Sequence, residues 1–309
     1  MRLITRHTTR TTFSFLLTST CLSTKPLSSN ALMFSTKGGA YDQKYGLPVT
    51  GLPSLPSGQS LQLKTMHGSG ILGASIWPAA APLCSYLAKN QHVLNLPHAH
   101  CIELGAGTGA VGLFAAGLGC SSVVLTDCRP PPDSAMYTTD GGAELPSDGS
   151  DTLLEILEHN VEVNRELITL SNTNMPRVME LDWTQPHQME RVLAQSAGPT
   201  GTSRRVLFDL VLCSDVTHFS AMHQPLASNI AGLLNPDGGV CLVSHQERML
   251  TLNGHDMQLE DFISAARATC LDVERIAAGQ LSSDGRHIAM LKLQHKGSVN
   301  DDGAGLVLK

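Results

Sequence analysis

Apolar runs and helical patterns alternate along the chain from residue 100 onward. A continuous apolar run such as Val206–Cys213, interrupted by Asp209, is typical of a strand that is buried on both faces. Between the runs, apolar residues recur three and four positions apart, as in helices that cover a sheet. The pattern therefore predicts an α/β domain. Its strands are expected at Cys101–Leu104, in the run that ends at Asp127, and at Pro176–Trp183, Val206–Cys213, Val240–His245, Leu271–Ile276 and His287–Leu293.

The helical patterns have recognisable beginnings. Thr152 and Glu155 have the spacing of a capping box, and Leu153, Leu157 and Val161 follow on one helical face. Prolines are tolerated in the first turn of a helix, which suits Pro78 and Pro82 ahead of an apolar face. Helices are therefore expected after Pro78, at Val111–Leu118, after Thr152, and at Met189–Leu193, Met222–Leu234 and Glu260–Cys270.

The stretch from His100 to Asp127 predicts a strand, a glycine turn, a helix and a second strand. Gly105, Gly107 and Gly109 carry no Cβ, so the backbone can turn tightly there and approach a ligand closely. In such a β-α-β unit the ligand lies beyond the carboxyl ends of the strands. The glycine turn is therefore the predicted cofactor site.

Two classes of cofactor fit the glycine spacing. Gly107, Gly109 and Gly112 spell the dinucleotide pattern G-x-G-x-x-G, and Asp127 follows about 20 residues later. Glu103, however, stands at the strand end, just before Gly105. A carboxylate there would repel a pyrophosphate, whereas it would attract the cationic sulfonium and ammonium groups of S-adenosylmethionine. Asp127 suits either cofactor because both carry ribose hydroxyls, so Glu103 favours the methyl donor.

Several pieces of the chain resemble one family of enzymes. IELGAGTGAVGL followed by VVLTD looks like the cofactor motif and acidic strand of the class I, seven-β-strand methyltransferases. GASIWPAAAPLCSYL, HNVEVN, LDW and FDLVLCSDVTHF resemble the non-SET protein-lysine methyltransferases of the methyltransferase-like group. The resemblance extends from Gly68 to Leu293. It implies a Rossmann-like, doubly wound seven-stranded sheet that is mostly parallel with one antiparallel edge strand.

The resemblance also implies S-adenosyl-L-methionine as the cofactor and arranges residues around it. Trp77 would lie against the cofactor, Asp182 near the exocyclic amine of adenine, and Trp183 against the adenine ring. An aromatic wall with one polar group suits a purine. The predicted cofactor-binding residues are Trp77, Glu103, Gly105, Ala106, Gly107, Gly109, Asp127, Asp182, Trp183 and Ser214.

Ser214, Asp215 and His218 follow the Val206–Cys213 strand, so they are expected at the same sheet edge as the glycine turn. The family carries an acidic residue here, followed three positions later by an aromatic residue, usually Tyr; this chain has His218 there, with Phe219 next. A lysine must lose its proton before it accepts a methyl group, since its ordinary pKa is about 10.4. Asp215 would hold the ammonium and His218 would accept a hydrogen bond or the proton. These two are the predicted catalytic residues, acting on a lysine of a protein substrate.

Charge and cysteine usage narrow the expected partners. The formal net charge is −6, but residues 1–41 contain five cations and no acid, which leaves −11 for the rest. Such a chain lacks the basic surface that phosphate backbones require, so no nucleic-acid partner is expected. The eight cysteines form no C-x-x-C pair, and no metal site is predicted. The uncharged stretch Gly68–Ala88 contains prolines and glycines, so no membrane span is expected.

The ends of the chain differ in composition from its middle. Residues 1–37 are rich in Arg, Ser and Thr, which is typical of an organelle transit peptide, with a disordered tail as the alternative. The mitochondrion is the expected destination, ahead of the plastid or the cytoplasm. A linker or edge segment is expected at 38–66, the methyltransferase domain at 67–294 with an inserted loop at 128–150, and a disordered tail at 295–309.

Three other functions remain open at this point. A small-molecule methyltransferase would share the cofactor half and differ in the loops at its rim. A catalytically silent cofactor-binding protein is conceivable because His218 stands in the usual aromatic place. An NAD(P)-dependent oxidoreductase needs a turn that tolerates phosphate, which Glu103 opposes. The sequence does not give the oligomeric state.

Overall fold

The structure is a computed structural model of the 309-residue chain. It describes residues 51–65, 72–129, 152–171, 173–196, 206–248, 250–281 and 286–297. The predicted transit peptide therefore lies outside the described residues, as do nearly all of the predicted inserted loop and most of the predicted C-terminal tail.

Seven strands form one sheet in the order β3-β2-β1-β4-β5-β7-β6. The pairs within β3-β2-β1-β4-β5 are all parallel, and β7 is antiparallel to both β5 and β6. The strands are β1 (His100–Leu104), β2 (Ser122–Asp127), β3 (Arg177–Glu180), β4 (Leu210–Ser214), β5 (Val240–Gln246), β6 (Leu271–Leu281) and β7 (His287–His295).

The predicted fold class is confirmed, with one refinement in the position of the antiparallel strand. β7 lies one place in from the edge, and β6 is the outermost strand. The two strands follow each other in the chain and pair directly, as consecutive strands joined by a short connection commonly do. β7 is thus inserted between β5 and β6.

The described residues contain seven α-helices, of which the first precedes β1 and the others connect strands. They are α1 (Ala80–Asn90), α2 (Ala110–Gly117), α3 (Leu153–Val163), α4 (Arg165–Leu170), α5 (Pro186–Ser196), α6 (Ser220–Leu233) and α7 (Met257–Ala268). The capping box at the start of α3 forms as predicted, with Thr152 and Glu155 each bonded to the other's backbone N–H. Within the described residues, no helix combines the length and the apolar character that crossing a membrane requires.

Apolar side chains are buried on both faces of the sheet, as expected for parallel strands covered by helices. The segment 51–65 joins this core through Leu55, Leu61 and Leu63, which are at most 4% exposed. Two buried asparagines hold the backbone of this segment: Asn160 bonds residue 64 and Asn164 bonds residue 62. Asn160 also donates to the carbonyl of Thr108 in the glycine turn at 2.9 Å, so it ties this segment to the turn.

Candidate active site

A cavity opens at the carboxyl ends of β1, β2 and β4. β1 lies between β2 and β4, so the strand order reverses direction at this edge of the sheet. Ligands of open α/β sheets bind at such a switch point. The cavity and the open solvent at its mouth together contain about 1060 Å³ of space between protein atoms. Its lining includes eleven of the twelve predicted site residues: Trp77, Glu103, Gly105, Ala106, Gly107, Asp127, Asp182, Trp183, Ser214, Asp215 and His218.

The first glycine of the turn keeps the cavity floor open. Gly105 has φ +67°, which a residue with a Cβ adopts only under strain. A Cβ at this position would also lie 2.7 Å from Val216 Cγ1 and 3.2 Å from Trp183 Cζ2. Gly105 thus allows the turn to pass directly beneath Trp183. Gly109, the one predicted residue outside the cavity lining, is the N-cap of α2.

Glu103 is buried beside the glycine turn, with 1% of its surface exposed. Its Oε2 accepts a 2.8 Å hydrogen bond from the Gly112 N–H, in the first turn of α2. A Cβ on Gly112 would overlap Leu125 Cδ2 and lie 2.7 Å from that oxygen, so a larger residue would force these side chains to move. Burial is the main cause that raises the pKa of Glu103 to about 8. The hydrogen bond from Gly112 lowers this pKa, and the nearby charge of Asp127 raises it. Glu103 therefore holds its proton near pH 7, and a cationic ligand beside it would favour the ionised form.

Asp127 ends β2 and is held by backbone N–H groups on both sides. Its Oδ2 accepts from the Gly107 N–H at 2.7 Å and its Oδ1 from the Cys128 N–H at 2.8 Å. Burial raises the pKa of Asp127 to about 6, while these hydrogen bonds pull the pKa down. The carboxylate thus cross-links the glycine turn to the end of β2 and faces the cavity.

Both tryptophans of the chain, Trp77 and Trp183, line the cavity. The carbonyl of Trp183 accepts a hydrogen bond from Asn229 at 2.9 Å. Its indole Nε1 is buried and has no hydrogen-bond partner among the described residues. Neighbouring Asp182 is fixed by Thr184, whose N–H and hydroxyl both donate to Asp182 Oδ1. The result is an aromatic wall beside a positioned carboxylate.

Asp215 follows β4 and is 4% exposed, with φ +58° in the left-handed region. Arg248 donates to both carboxylate oxygens, from Nη1 to Oδ1 at 2.8 Å and from Nη2 to Oδ2 at 2.5 Å. The N–H of Gln246 donates to Oδ1 at 3.2 Å. Burial disfavours the charge, but the hydrogen bonds and positive charge of Arg248 outweigh burial and lower the pKa of Asp215. The carboxylate is therefore ionised and already paired.

His218 lies on the same turn, with its imidazole against the ring of Phe219 at 4.1 Å between centroids. Its Nδ1 is 2.8 Å from the carbonyl oxygen of Asp215. A carbonyl can only accept, so Nδ1 carries the hydrogen and Nε2 presents its lone pair. Nε2 is buried and without a hydrogen-bond partner among the described residues. Burial is the main reason that the pKa of His218 is lowered, so the imidazole is neutral near pH 7.

A buried polar cluster lies behind this turn and is absent from the sequence-based site. Thr217 Oγ1 is 2.8 Å from His245 Nδ1, and the Thr217 carbonyl accepts from His223 Nε2 at 2.9 Å. His245 Nε2 lies 3.4 Å from Asp256 Oδ1. His245, Arg248 and Asp256 belong to β5 and the loop that follows it, whereas Thr217 follows β4 and His223 lies in α6. Apolar residues of the cavity lining, such as Val216, Phe219 and Met222, were also not predicted from the sequence.

The strand order, the switch-point cavity and the glycine turn define the Rossmann-like class of α/β proteins. A family model described as lysine methyltransferase matches residues 56–140 and 145–267. The chain belongs to this family, which confirms the resemblance seen in the sequence.

Individual relatives match this chain over part of its length and at low sequence identity. A protein-lysine methyltransferase of Mus musculus, METTL21E, is 27% identical over 157 residues, covering 51% of this chain and 50% of its own length. A calmodulin-lysine N-methyltransferase of Arabidopsis thaliana is 28% identical, covering 62% of this chain and 53% of its own. The chain spans about half the length of the curated relatives it matches. A solved magnesium protoporphyrin IX methyltransferase of Synechocystis with bound SAH is 15% identical, covering 71% of this chain and 84% of its own, with TM-score 0.43.

Proposed function

We propose that this chain is an S-adenosylmethionine-dependent methyltransferase that methylates a lysine side chain of a protein substrate. The observation that carries the proposal is the presence, in one cavity, of buried Glu103 beside the glycine turn and of His218 at the acceptor turn, whose Nε2 has no hydrogen-bond partner among the described residues. The first group suits a cationic donor, and the second suits a substrate that must give up a proton.

The lining residues fit the chemistry of this cofactor. Glu103 would face the cationic groups of the cofactor, and Asp127 would face its ribose hydroxyls. Trp77 and Trp183 would pack against the flat surfaces of adenine and its surroundings. Asp182 would supply the polar group that recognises adenine. When bound, S-adenosylmethionine supplies a methyl group activated by the positive sulfur. Glu103 also argues against nicotinamide dinucleotides, because it already takes a first-turn N–H of α2, the kind of group that would otherwise bind phosphate.

The acceptor turn supports proton removal from lysine. A positioned base must lie within hydrogen-bond reach of the proton that it takes, and a pKa near or below the working pH leaves it free to accept. His218 is neutral, its tautomer is set by the Asp215 carbonyl, and Nε2 is the accepting atom. Asp215, whose carboxylate is paired with Arg248, and Ser214 line the cavity at the same turn.

Membership of the lysine methyltransferase family supports a lysine as the acceptor, and the names of the relatives support a protein as its carrier. The net charge of −11 outside the first 41 residues supports a substrate other than nucleic acid. A small-molecule acceptor remains the principal alternative, since it would use the same cofactor half.

The test begins with binding. Because both tryptophans line the cavity, intrinsic fluorescence reports on cofactor titrations directly. We expect S-adenosylmethionine and S-adenosylhomocysteine to quench the emission, and NAD and NADP to leave it unchanged. Binding of a nicotinamide dinucleotide, or no binding of the methyl donor, would contradict the proposal.

The acceptor is identified by labelled methyl transfer. The protein is incubated with methyl-labelled S-adenosylmethionine and a lysate from cells that lack it, and label is followed in the protein and metabolite fractions. We expect label in protein, at lysines located by mass spectrometry, and none with the Asp215→Ala variant. Label confined to small molecules would establish the alternative, and no label beside intact cofactor binding would identify a silent cofactor-binding protein.

We also propose that residues 1–37 direct the protein to mitochondria. Arg2, Arg6 and Arg10 recur every four residues in a segment without acids, as in transit peptides. Fusion of residues 1–41 to a fluorescent protein should give a mitochondrial pattern, and replacement of the three arginines by glutamine should abolish it. A plastid or diffuse pattern of the unaltered fusion would contradict the proposal.

A further inference from the structure

Arg248 connects the two sides of the candidate active site. Its guanidinium donates to both oxygens of Asp215, and its Cζ lies 5.6 Å from the ring centroid of Trp77. The side chain is 13% exposed. One cation thus holds the carboxylate of the acceptor turn and lies over the aromatic ring of the cofactor side.

Arg248 is itself held in place by its neighbours. Nη1 donates to the Gln246 carbonyl at 2.8 Å and Nη2 to Gln246 Oε1 at 3.1 Å. Its backbone N–H donates to Asp256 Oδ2 at 2.7 Å, and Asp256 in turn caps α7. A planar fork with these fixed contacts recognises a carboxylate with a defined geometry, which a lysine could not reproduce.

The pairing changes what Asp215 can do. Both carboxylate oxygens already accept hydrogen bonds, and the positive charge of Arg248 balances the negative one. A lysine ammonium that approached Asp215 would therefore meet a neutral pair rather than a free anion. Direct anchoring of the ammonium by Asp215 is disfavoured by this geometry.

The contact between Arg248 and Asp215 also affects His218. Asp215 keeps its left-handed backbone while its side chain is held by Arg248, and that backbone conformation directs the Asp215 carbonyl at His218 Nδ1. The amide of Gln258, in the first turn of α7, donates to the His218 carbonyl at 2.6 Å. The orientation of Nε2 thus depends on groups fixed by the loop between β5 and α7.

We propose that Arg248 is a positioning residue for methyl transfer: it occupies the Asp215 carboxylate and, by this contact, sets the orientation and surroundings of His218. The inference rests on the proposed function for its consequence in turnover. Its consequence for His218 concerns the protein without substrate, so the two are tested separately.

The first test follows the titration of His218 by NMR of the imidazole Cε1–H, assigned with His218→Gln. Among the described residues, the titratable or permanently charged groups that act on His218 are Asp215, Arg248 and His245. In Arg248→Met the cation is lost while the Asp215 anion remains, so the pKa of His218 should rise by about one unit, a tenfold change in its protonation constant. Arg275→Met removes an exposed arginine that pairs with Glu260 and is the matched control, with no change expected. Unchanged titration in Arg248→Met would overturn the inference.

The second test measures turnover by labelled methyl transfer into the same lysate across pH 6 to 10. Arg248→Lys keeps the charge but loses the fork, and should lower the rate about 100-fold while changing cofactor affinity less than threefold. In Arg248→Met the acidic limb of the pH profile should also move to higher pH, whereas a purely structural loss would lower the rate equally at every pH. Retained or increased rates would show that Asp215 binds the lysine directly and would overturn the inference.

A third variant guards against misfolding, because Arg248→Met leaves a buried anion without its partner. Asp215→Asn combined with Arg248→Met removes both charges and should fold, as judged by fluorescence titration with S-adenosylmethionine. We expect the turnover rate of this double variant to be no lower than that of either single variant, because Asp215 and Arg248 act as a unit. Wild-type turnover in the double variant would overturn the inference. If the unaltered protein methylates nothing, the proposed function fails, and the titration of His218 alone decides the role of Arg248.

Discussion

The cofactor side and the acceptor side of the cavity are held together in different ways. On the cofactor side, Glu103 and Asp127 accept from backbone N–H groups 9 and 20 positions away, within one β-α-β unit. On the acceptor side, Asp215 pairs with Arg248, 33 positions away, and His218 contacts Gln258, 40 positions away. The first side is built by local chain geometry and the second by the pairing of β4 with β5.

This difference separates the expected consequences of substitution. Backbone N–H groups are present whatever the side chains, so changes on the cofactor side alter the space or charge that a ligand meets. Side-chain partners on the acceptor side can be removed one at a time, which alters the group that receives a proton. Changes on the first side should therefore affect binding, and changes on the second side turnover.

The largest expected effect comes from the acceptor side. His218→Ala removes the proposed proton acceptor, and general base catalysis is worth about 100-fold or more. We expect labelled methyl transfer to fall by about that factor while the fluorescence titration with S-adenosylmethionine changes little. His92→Ala, at an exposed position, is the control. The His218 variant could instead lose cofactor binding, with a fall in turnover that this loss explains in full. That result would contradict the difference proposed between the cofactor side and the acceptor side.

On the cofactor side, Gly105→Ala should have the next largest effect. The added Cβ would lie 2.7 Å from Val216 Cγ1 and 3.2 Å from Trp183 Cζ2. Overpacking of this kind costs about 1–3 kcal/mol, so we expect weaker cofactor binding by about tenfold or more together with a lower melting temperature. Gly58→Ala is a matched control, because Gly58 also has positive φ, +81°, but its Cβ would meet nothing within 4 Å. Equal effects of the two variants would show that backbone strain alone is responsible.

The same contrast explains what the sequence could predict. The glycine turn, Glu103, Asp127 and the Thr152–Glu155 capping box are local patterns, and the structure places each of them as expected. Arg248 has no such pattern: Val240–Gln246 reads as an ordinary strand, and nothing in it shows that β5 lies beside β4. The register that aligns Ser214 with Ser244 is what brings Asp215 and Arg248 together.

The sequence also did not predict which polar residues are buried. No motif marks His223 or His245 in the sequence, and both are at most 4% exposed within the cluster behind the acceptor turn. Asn160 and Asn164 lie on a helix whose partner, residues 62–64, has no strand or helix pattern. Tertiary packing of this kind leaves no periodic trace, so it becomes visible only in the structure.

Asp127→Ala tests whether the cofactor side acts only through binding. The change removes two hydrogen bonds to backbone N–H groups, from Gly107 and Cys128, and the carboxylate proposed for the ribose. Hydrogen bonds to charged groups are worth about 1.5–3 kcal/mol, so we expect cofactor affinity to fall about tenfold or more. At saturating cofactor the turnover number should stay within a few-fold of the unaltered protein. Undiminished affinity would count against the assignment of the cavity.

The smallest expected effect is a change in how stability depends on pH. Asp127, whose pKa is raised to about 6, contributes in the same direction below that pH, so above it the change reports mainly on Glu103. The pKa of Glu103 is raised from 4.5 to about 8 in the folded protein. Between these values the folded chain holds a proton that the unfolded chain releases, so stability must fall as pH rises through that window. His218, whose pKa is lowered, acts with the opposite sign below about 6.5, so the comparison is made from pH 6.5 to 8.

Over that range the cofactor-free protein should lose about 1 kcal/mol of unfolding free energy that Glu103→Gln does not lose, as measured by chemical denaturation. Glu158→Gln, on the exposed face of α3, is the control and should keep the slope of the unaltered protein. Saturating S-adenosylmethionine should flatten the slope of the unaltered protein as well, because a cation beside Glu103 favours its ionised form. S-adenosylhomocysteine lacks the sulfonium and should flatten it less. If the two ligands act alike, the charge of the sulfur is not what Glu103 senses, and the cofactor side selects its ligand by shape rather than by charge.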